Sequence, residues 1–190
     1  MSKLLSFEDF KSTLRNDIGA VMSYLKLEIR KELRDQGHIL TGTLERSIQV
    51  EIKEDVNRIS FLIYLEEYGL KSIDRGIPPE KIPFSRGSGA GTSKYIDGLK
   101  RFWMLRGLSP KEAVRASFAT ANKQKQEGMP TRSSYGFSQN GRRLGFFSGT
   151  VEKNIQHIED AVRSVADNVV RATFYNVLEK TQREFTAATT

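Results

Sequence analysis

Between Phe7 and Leu33 an apolar residue returns at every third or fourth position: Phe7, Phe10, Leu14, Ile18, Val21, Leu25, Ile29 and Leu33. This is the period of an α-helix, and it lays one unbroken apolar stripe along about 30 residues, roughly 45 Å at about 1.5 Å per residue. A helix of this length cannot cover its own stripe, so the rest of the chain has to supply something that does. Ser6 with Asp9 forms a weakened capping box at the start, and Gly37 is the stop signal. The other faces mix Lys26, Arg30, Lys31 and Arg34 with Glu28, Glu32 and Asp35, a solvated pattern rather than a stripe that tracks nucleic acid. A second stripe, Val151, Ile155, Ile158, Val162, Val165, Val169 and Val177, predicts a closing helix that matches the first in length and pattern.

Between the two helices the period drops to two. Ile48, Val50 and Ile52 alternate with polar residues, Asp55 to Arg58 form a turn, and Ile59, Phe61, Ile63 and Leu65 alternate again. The pair reads as an antiparallel hairpin with one face on a core, and Leu62 and Tyr64 allow burial of the other face. Gly69 to Lys94 has no period and holds Ile77-Pro78-Pro79 and the run Gly87 to Ser93, so it is expected to be an extended arm or mobile excursion. Tyr95, Leu99, Phe102 and Leu105 predict a short helix ending at Gly107. Ser109-Pro110-Lys111-Glu112 is a complete start signal for another, running to about Glu127 before Gly128 and Pro130. The segment from Met129 to Gly149 is irregular; its Asn140-Gly141 turn leaves room for a small hairpin. The fold class expected is therefore α+β, a small antiparallel sheet packed against long terminal helices. A single domain is expected over 1–190, with its core at about 6–70 and 150–185 and an irregular and helical insertion at about 71–149.

Chemistry is harder to find. The 190 residues contain no cysteine, which removes disulfides, thiolate nucleophiles and cysteine metal sites. The run Gly87, Gly89, Gly91 puts Lys94 after the hydroxyls of Thr92 and Ser93, the wrong order for a phosphate-binding loop. His38 and His157 are the only histidines and have no helical partner at ligand spacing; no spacing forces Glu66, Glu67, Asp74 and Asp97 into a carboxylate pair. Neither an enzyme nor a bound cofactor or metal is expected. Glu8 and Asp9 argue against a signal peptide, and the longest apolar run, Ile59 to Leu65, is too short to span a bilayer, so a soluble protein is expected.

Thirty Lys and Arg against 23 Asp and Glu leave a formal charge of +7, which suits an acidic partner. The most concentrated basic stretch is Lys123, Lys125, Arg132, Arg142 and Arg143, interleaved with Tyr135, Phe137, Phe146 and Phe147. Such a segment either tracks a phosphate backbone and stacks bases or docks on a protein, with Arg meeting carboxylates and Phe filling pockets. In the absence of a recognisable nucleic-acid fold the docking reading is favoured. Trp103, the sole tryptophan, is expected in the core or an interface.

The stretch Thr41-Gly42-Thr43-Leu44-Glu45-Arg46-Ser47-Ile48 resembles a signature of the tail-completion and head–tail connector proteins of long-tailed double-stranded DNA bacteriophages, in which a long helix is followed by T-G-x-L-x-x-S-I entering a strand. In that family the next strand ends in an aromatic, an acid, an aromatic and Gly-Thr; Tyr64, Glu67, Tyr68 and Gly69 hold those places here, and Leu70 replaces the threonine. Read physically, Thr41-Gly42 turns the chain, Leu44 tucks into the helix–sheet junction and Ser47 starts the strand. The resemblance implies a virion structural protein of the phage neck, made in the bacterial cytoplasm and forming a ring, as a hexamer or dodecamer, around the DNA channel. Its partners would be copies of itself and neighbouring connector or tail proteins, with non-specific DNA contact in the lumen and no membrane. The family has no catalytic residues. The alternative is a basic nucleic-acid-binding protein that uses the segment 123–147.

Overall fold

A computed structural model describes residues 7–55, 58–85, 87 and 93–188, and the side chains of 7–10 and 185–188 are outside that description. The Ser6–Asp9 cap, the side chains of Phe7 and Phe10, the centre of the hairpin turn and most of the glycine-rich run therefore lie outside the described residues. The fold is α+β, as expected: a two-stranded antiparallel sheet with long terminal helices. Helix α1 is Phe7–Asp35, α2 a single turn at Thr43–Ser47, and strands β1 (Gln49–Asp55) and β2 (Arg58–Tyr64) form the hairpin. Helices α3 (Lys94–Leu105), α4 (Pro110–Glu127) and α5 (Ser148–Ala188) follow. At 41 residues α5 exceeds the 29 of α1, so the expected match in length does not hold.

The chain divides into two compact units, one of residues 1–27, 50–63 and 151–190, the other of 28–49 and 64–150. The first contains most of α1, the hairpin and α5. Ile18, Leu25, Asn154 and Val165 are its buried residues among those described. Gly19 of α1 faces Ile52 of β1 with room for ordinary contact, Lys11 pairs with Glu54 at 3.5 Å, and Tyr24 meets the edge of the His157 ring at 5.4 Å. On α5 only part of the expected stripe is inside: Val165 is buried, Ile155, Val162 and Val177 are exposed, and so are Val170, Phe174, Tyr175 and Leu178.

The second unit has a denser core, with Ile29, Leu33, Gln36, Ile48, Ala113, Ser117, Ala121 and Phe146 fully inaccessible. Here α1 ends as its sequence requires. The Gly37 amide donates to Arg34 O at 2.7 Å and the His38 amide to Leu33 O at 3.1 Å, the paired closure of a Schellman motif. Gly37 has φ +68, and a Cβ there would lie 2.2 Å from the carbonyl oxygen of Phe137, so only glycine fits. The start of α4 also follows its sequence, with Ser109 and Glu112 completing a reciprocal capping box and Pro110 in the first turn. Ala113, Ser117, Ala121 and Gln124 recur along one face of α4 and are buried, while Val114 and Phe118 face outward. That small-residue face lets α3 come close: Trp103 Nε1 donates to Thr120 Oγ1 at 2.9 Å, and the Tyr95 hydroxyl donates to Gln124 Oε1.

The two segments expected to be irregular arms are held down. A π-helical turn at Gly69–Asp74 and a 3-10 turn at Pro79–Lys81 organise the first, and Asp74 and Ile82 are buried. Ile77 and Met129 form an antiparallel bridge with both N–H···O distances at 2.8 Å. In the second segment the small hairpin for which the Asn140-Gly141 turn leaves room is not formed: residues 132–137 are a 3-10 turn and no strand occurs between 129 and 149. Instead 138–144 wraps the C-terminal end of α1. The Gln139 amide and Ser138 Oγ donate to Asp35 O, Asn140 Nδ2 donates to Glu32 Oε1, and the buried Gln36 donates to Leu144 O at 3.0 Å. The two bonds to Asp35 O satisfy a carbonyl that the helix end leaves open, and the other two tie side chains at that end to the segment, which is why a stretch without period is held in place.

Candidate functional site

The two halves of the signature sequence meet. Leu44, on the single turn α2, is buried at 4% exposure, and a Cβ on Gly69 would fall 2.6 Å from its Cδ1, so the glycine is there to admit leucine. Ser47 is the last residue of α2 rather than the start of the strand; its Oγ donates to Leu44 O at 2.7 Å and accepts the Glu66 amide at 3.1 Å. One hydroxyl thus ties the end of α2 to the chain leaving β2. Gly42, left-handed at φ +70, turns the chain into α2, and Thr41 Oγ1 lies 2.9 Å from Thr43 Oγ1. Tyr64 and Tyr68 are exposed, and Glu67 is ion-paired to Lys71, which holds its carboxyl below the usual range.

Thr41, Gly42, Leu44 and Tyr68 form one wall of a cavity of about 670 Å³ contained within the second unit. Leu99, Phe102 and Trp103 of α3, with Arg106 just past its end, form another, and Thr120, Lys123 and Gln124 of α4 a third. The rest includes His38, Phe137 and Arg143. The Arg106 guanidinium lies over two rings, 4.6 Å from the centre of Phe102 and 4.7 Å from that of Phe137. Arg143 donates through Nη1 to Gln36 O, and the Nε atoms of both arginines are buried with no hydrogen-bond partner. Burial, with the nearby charge of Arg106, lowers the Arg143 pKa. His38 Nε2 sits 3.1 Å from Arg143 O, and burial followed by the Arg143 charge pushes its pKa down to about 4, so it is neutral at pH 7.

The residues expected to contact a partner or DNA are divided among different tasks. Phe146 is fully buried and stacks edge-on to His38 at 6.5 Å, a correction to its place among surface contacts. Lys125 donates to Ile82 O at 3.0 Å and Lys123 pairs with Glu127 at 2.8 Å. The Phe147 amide donates to Asp74 Oδ1 at 2.8 Å, as does that of Ser148 at 3.1 Å, so Asp74 caps α5 from a distance and is not half of a carboxylate pair. Arg142 is exposed 4.0 Å from Glu32, and Arg132 and Tyr135 are exposed on the 3-10 turn. Of the nine, Lys123, Phe137 and Arg143 reach the cavity. Arg106 was missed by sequence reasoning; its only local signal is its i,i+4 spacing from Phe102, since Phe137 comes from a different element.

Among the described residues no group of three or more His, Cys, Asp or Glu side chains is placed to hold a metal, and no helix is long and apolar enough to cross a membrane. Comparison with protein-family models, curated proteins and solved structures finds no match to this chain.

Proposed function

We propose that the protein is a structural component of the neck of a long-tailed bacteriophage, a ring of identical subunits between capsid and tail. The observation that carries this reading is the junction at Leu44, Ser47 and Gly69: these three residues of the neck-protein signature lock the turn after α1 to the chain leaving the hairpin, Leu44 against Gly69 and Ser47 on the Glu66 amide. Those residues have a joint structural role, which is what a family signature without catalytic residues should specify. The first unit adds support. Val170, Phe174, Val177 and Leu178 recur at three- and four-residue spacing on α5 and are exposed, so the helix offers an apolar strip to a neighbour. A closed ring uses such a strip in heterologous contacts between copies.

The alternative of nucleic-acid binding through 123–147 is weakened, because Phe146 is in the core and Lys125 is spent on Ile82. Electron microscopy of a phage carrying a stop codon in this gene tests the proposal. Full heads and finished tails that fail to join are expected; joined particles would reject it.

A further inference from the structure

The cavity of the second unit carries an unbalanced charge in an apolar setting. Four of its lining groups bear or accept positive charge: His38, Arg106, Lys123 and Arg143. His38 is neutral at pH 7 and Lys123 is matched by Glu127. Glu45, the one lining carboxylate, is matched by Arg34, which donates to it through Nε and Nη2. Arg106 and Arg143 remain, and neither forms an ion pair among the described residues. Two half-enclosed guanidinium groups without an acid, each with an unpartnered Nε, are costly unless an anion completes them.

The surroundings restrict that anion. Leu40, Leu99, Phe102, Trp103 and Phe137 make the walls apolar, which suits a single charge on an apolar body and not a polyphosphate. The guanidinium fork matches a carboxylate in two-point geometry. A cavity of about 670 Å³ does not admit a duplex backbone with its bases. The rim is open: Phe137 is 56% exposed, Tyr68 44% and Leu40 38%. A free small acid would leave this apolar rim wet, whereas a chain that enters the cavity and continues past it would cover it.

We propose that this cavity is a docking socket for a segment of a partner protein, taking a Glu or Asp carboxylate between Arg106 and Arg143 with the apolar side chains next to it on Phe102, Trp103 and Phe137. The assignment rests on the cavity alone and stands whether or not the chain is a phage neck component.

Trp103 is the only tryptophan and lines the cavity, so its fluorescence reports occupancy directly. The probes are acetylated, amidated tripeptides with Glu between two residues drawn from Leu, Phe, Ile and Met, and the same set with Gln in place of Glu. The best Glu peptide is expected to saturate the Trp103 signal and to bind about tenfold more tightly than its Gln counterpart, a contrast that needs no protein variant. Arg106→Gln, whose lost contacts are two ring faces, should remove that preference, while Arg142→Gln, outside the cavity, should keep it; thermal melts check that each variant is folded. Equal binding of Glu and Gln peptides, no saturable signal from either set, or an Arg106→Gln variant that retains the preference would overturn the proposal. So would 4-phenylbutyrate binding as tightly as the best peptide, which would make this a free-acid site, or displacement of the peptide by a short DNA duplex.

Discussion

The two units of this chain are built from the same materials and differ in how they hold together. In the second, side chains reach across long sequence distances to backbone groups: Asp74 to Phe147 and Ser148, Gln36 to Leu144, Lys125 to Ile82, Arg30 to Ile48. Its core includes a fully enclosed phenylalanine, Phe146, and the small-residue face of α4. The first unit rests on two long helices and a hairpin, and leaves Val170, Phe174, Tyr175, Val177 and Leu178 of α5 in water. The contrast teaches that a long amphipathic helix and a closed core are separate achievements. The second unit has its core within itself, and in our account the first completes its own against a neighbouring copy.

The contrast breaks most sharply at aromatic residues. Phe146→Ala should cost about 3–5 kcal/mol in chemical unfolding of the isolated chain, whereas Phe174→Ala, at 61% exposure, should cost less than about 0.5 kcal/mol there. Equal costs would erase the distinction between the units. Next in size is Asp74→Ala, which strands two amides at the start of α5 and should lower stability by about 1–3 kcal/mol, with Asp74→Asn recovering part of the loss through its remaining acceptor. An Asp74→Ala variant as stable as the natural sequence would mean that the distant cap is not what fixes this junction. Ser109→Ala dissects a purely local element and should cost about 1 kcal/mol.

A pH dependence sharpens the comparison further. His38 has a folded pKa of about 4 against 6.5 unfolded, so the unfolded chain takes up the proton first as pH falls. Its contribution to stability should be fully present above about 6.5, and should be lost progressively as pH falls to about 4. Urea midpoints measured across that window should drop, and His38→Gln should flatten the part of the curve that belongs to this group. An unchanged profile in the variant would show that the burial and the Arg143 charge are not felt at His38.

What could be read from the sequence divides along physical lines. Helix α1 with its Gly37 stop, the hairpin and the Ser109 box of α4 were legible because spacing and capping are local, and each residue acts on neighbours within one turn. The segments 69–85 and 129–149 looked unstructured because their order comes from bonds to distant carbonyls and amides, which leave no period. The stripe on α5 was visible, but its division into a buried and an exposed side was not, because periodicity gives a face and not its cover. In the cavity, Lys123, Phe137 and Arg143 were found for their charge and aromaticity. Phe146 was misplaced, since composition does not distinguish a phenylalanine that packs from one that docks. Arg106 was overlooked because its importance comes from Phe137 and from the absence of an ion-pair partner among the described residues, neither of which is written near it.

The central claim is that the exposed strip of α5 is a surface for another copy of this chain. Native mass spectrometry of the purified protein at high concentration, with Phe174→Asp beside it, tests that claim most directly. The account predicts a closed oligomer for the natural sequence and a folded monomer for the variant, with the unfolding behaviour of the second unit unchanged. A monomer for the natural sequence at every concentration, or an oligomer that Phe174→Asp leaves intact, would contradict it.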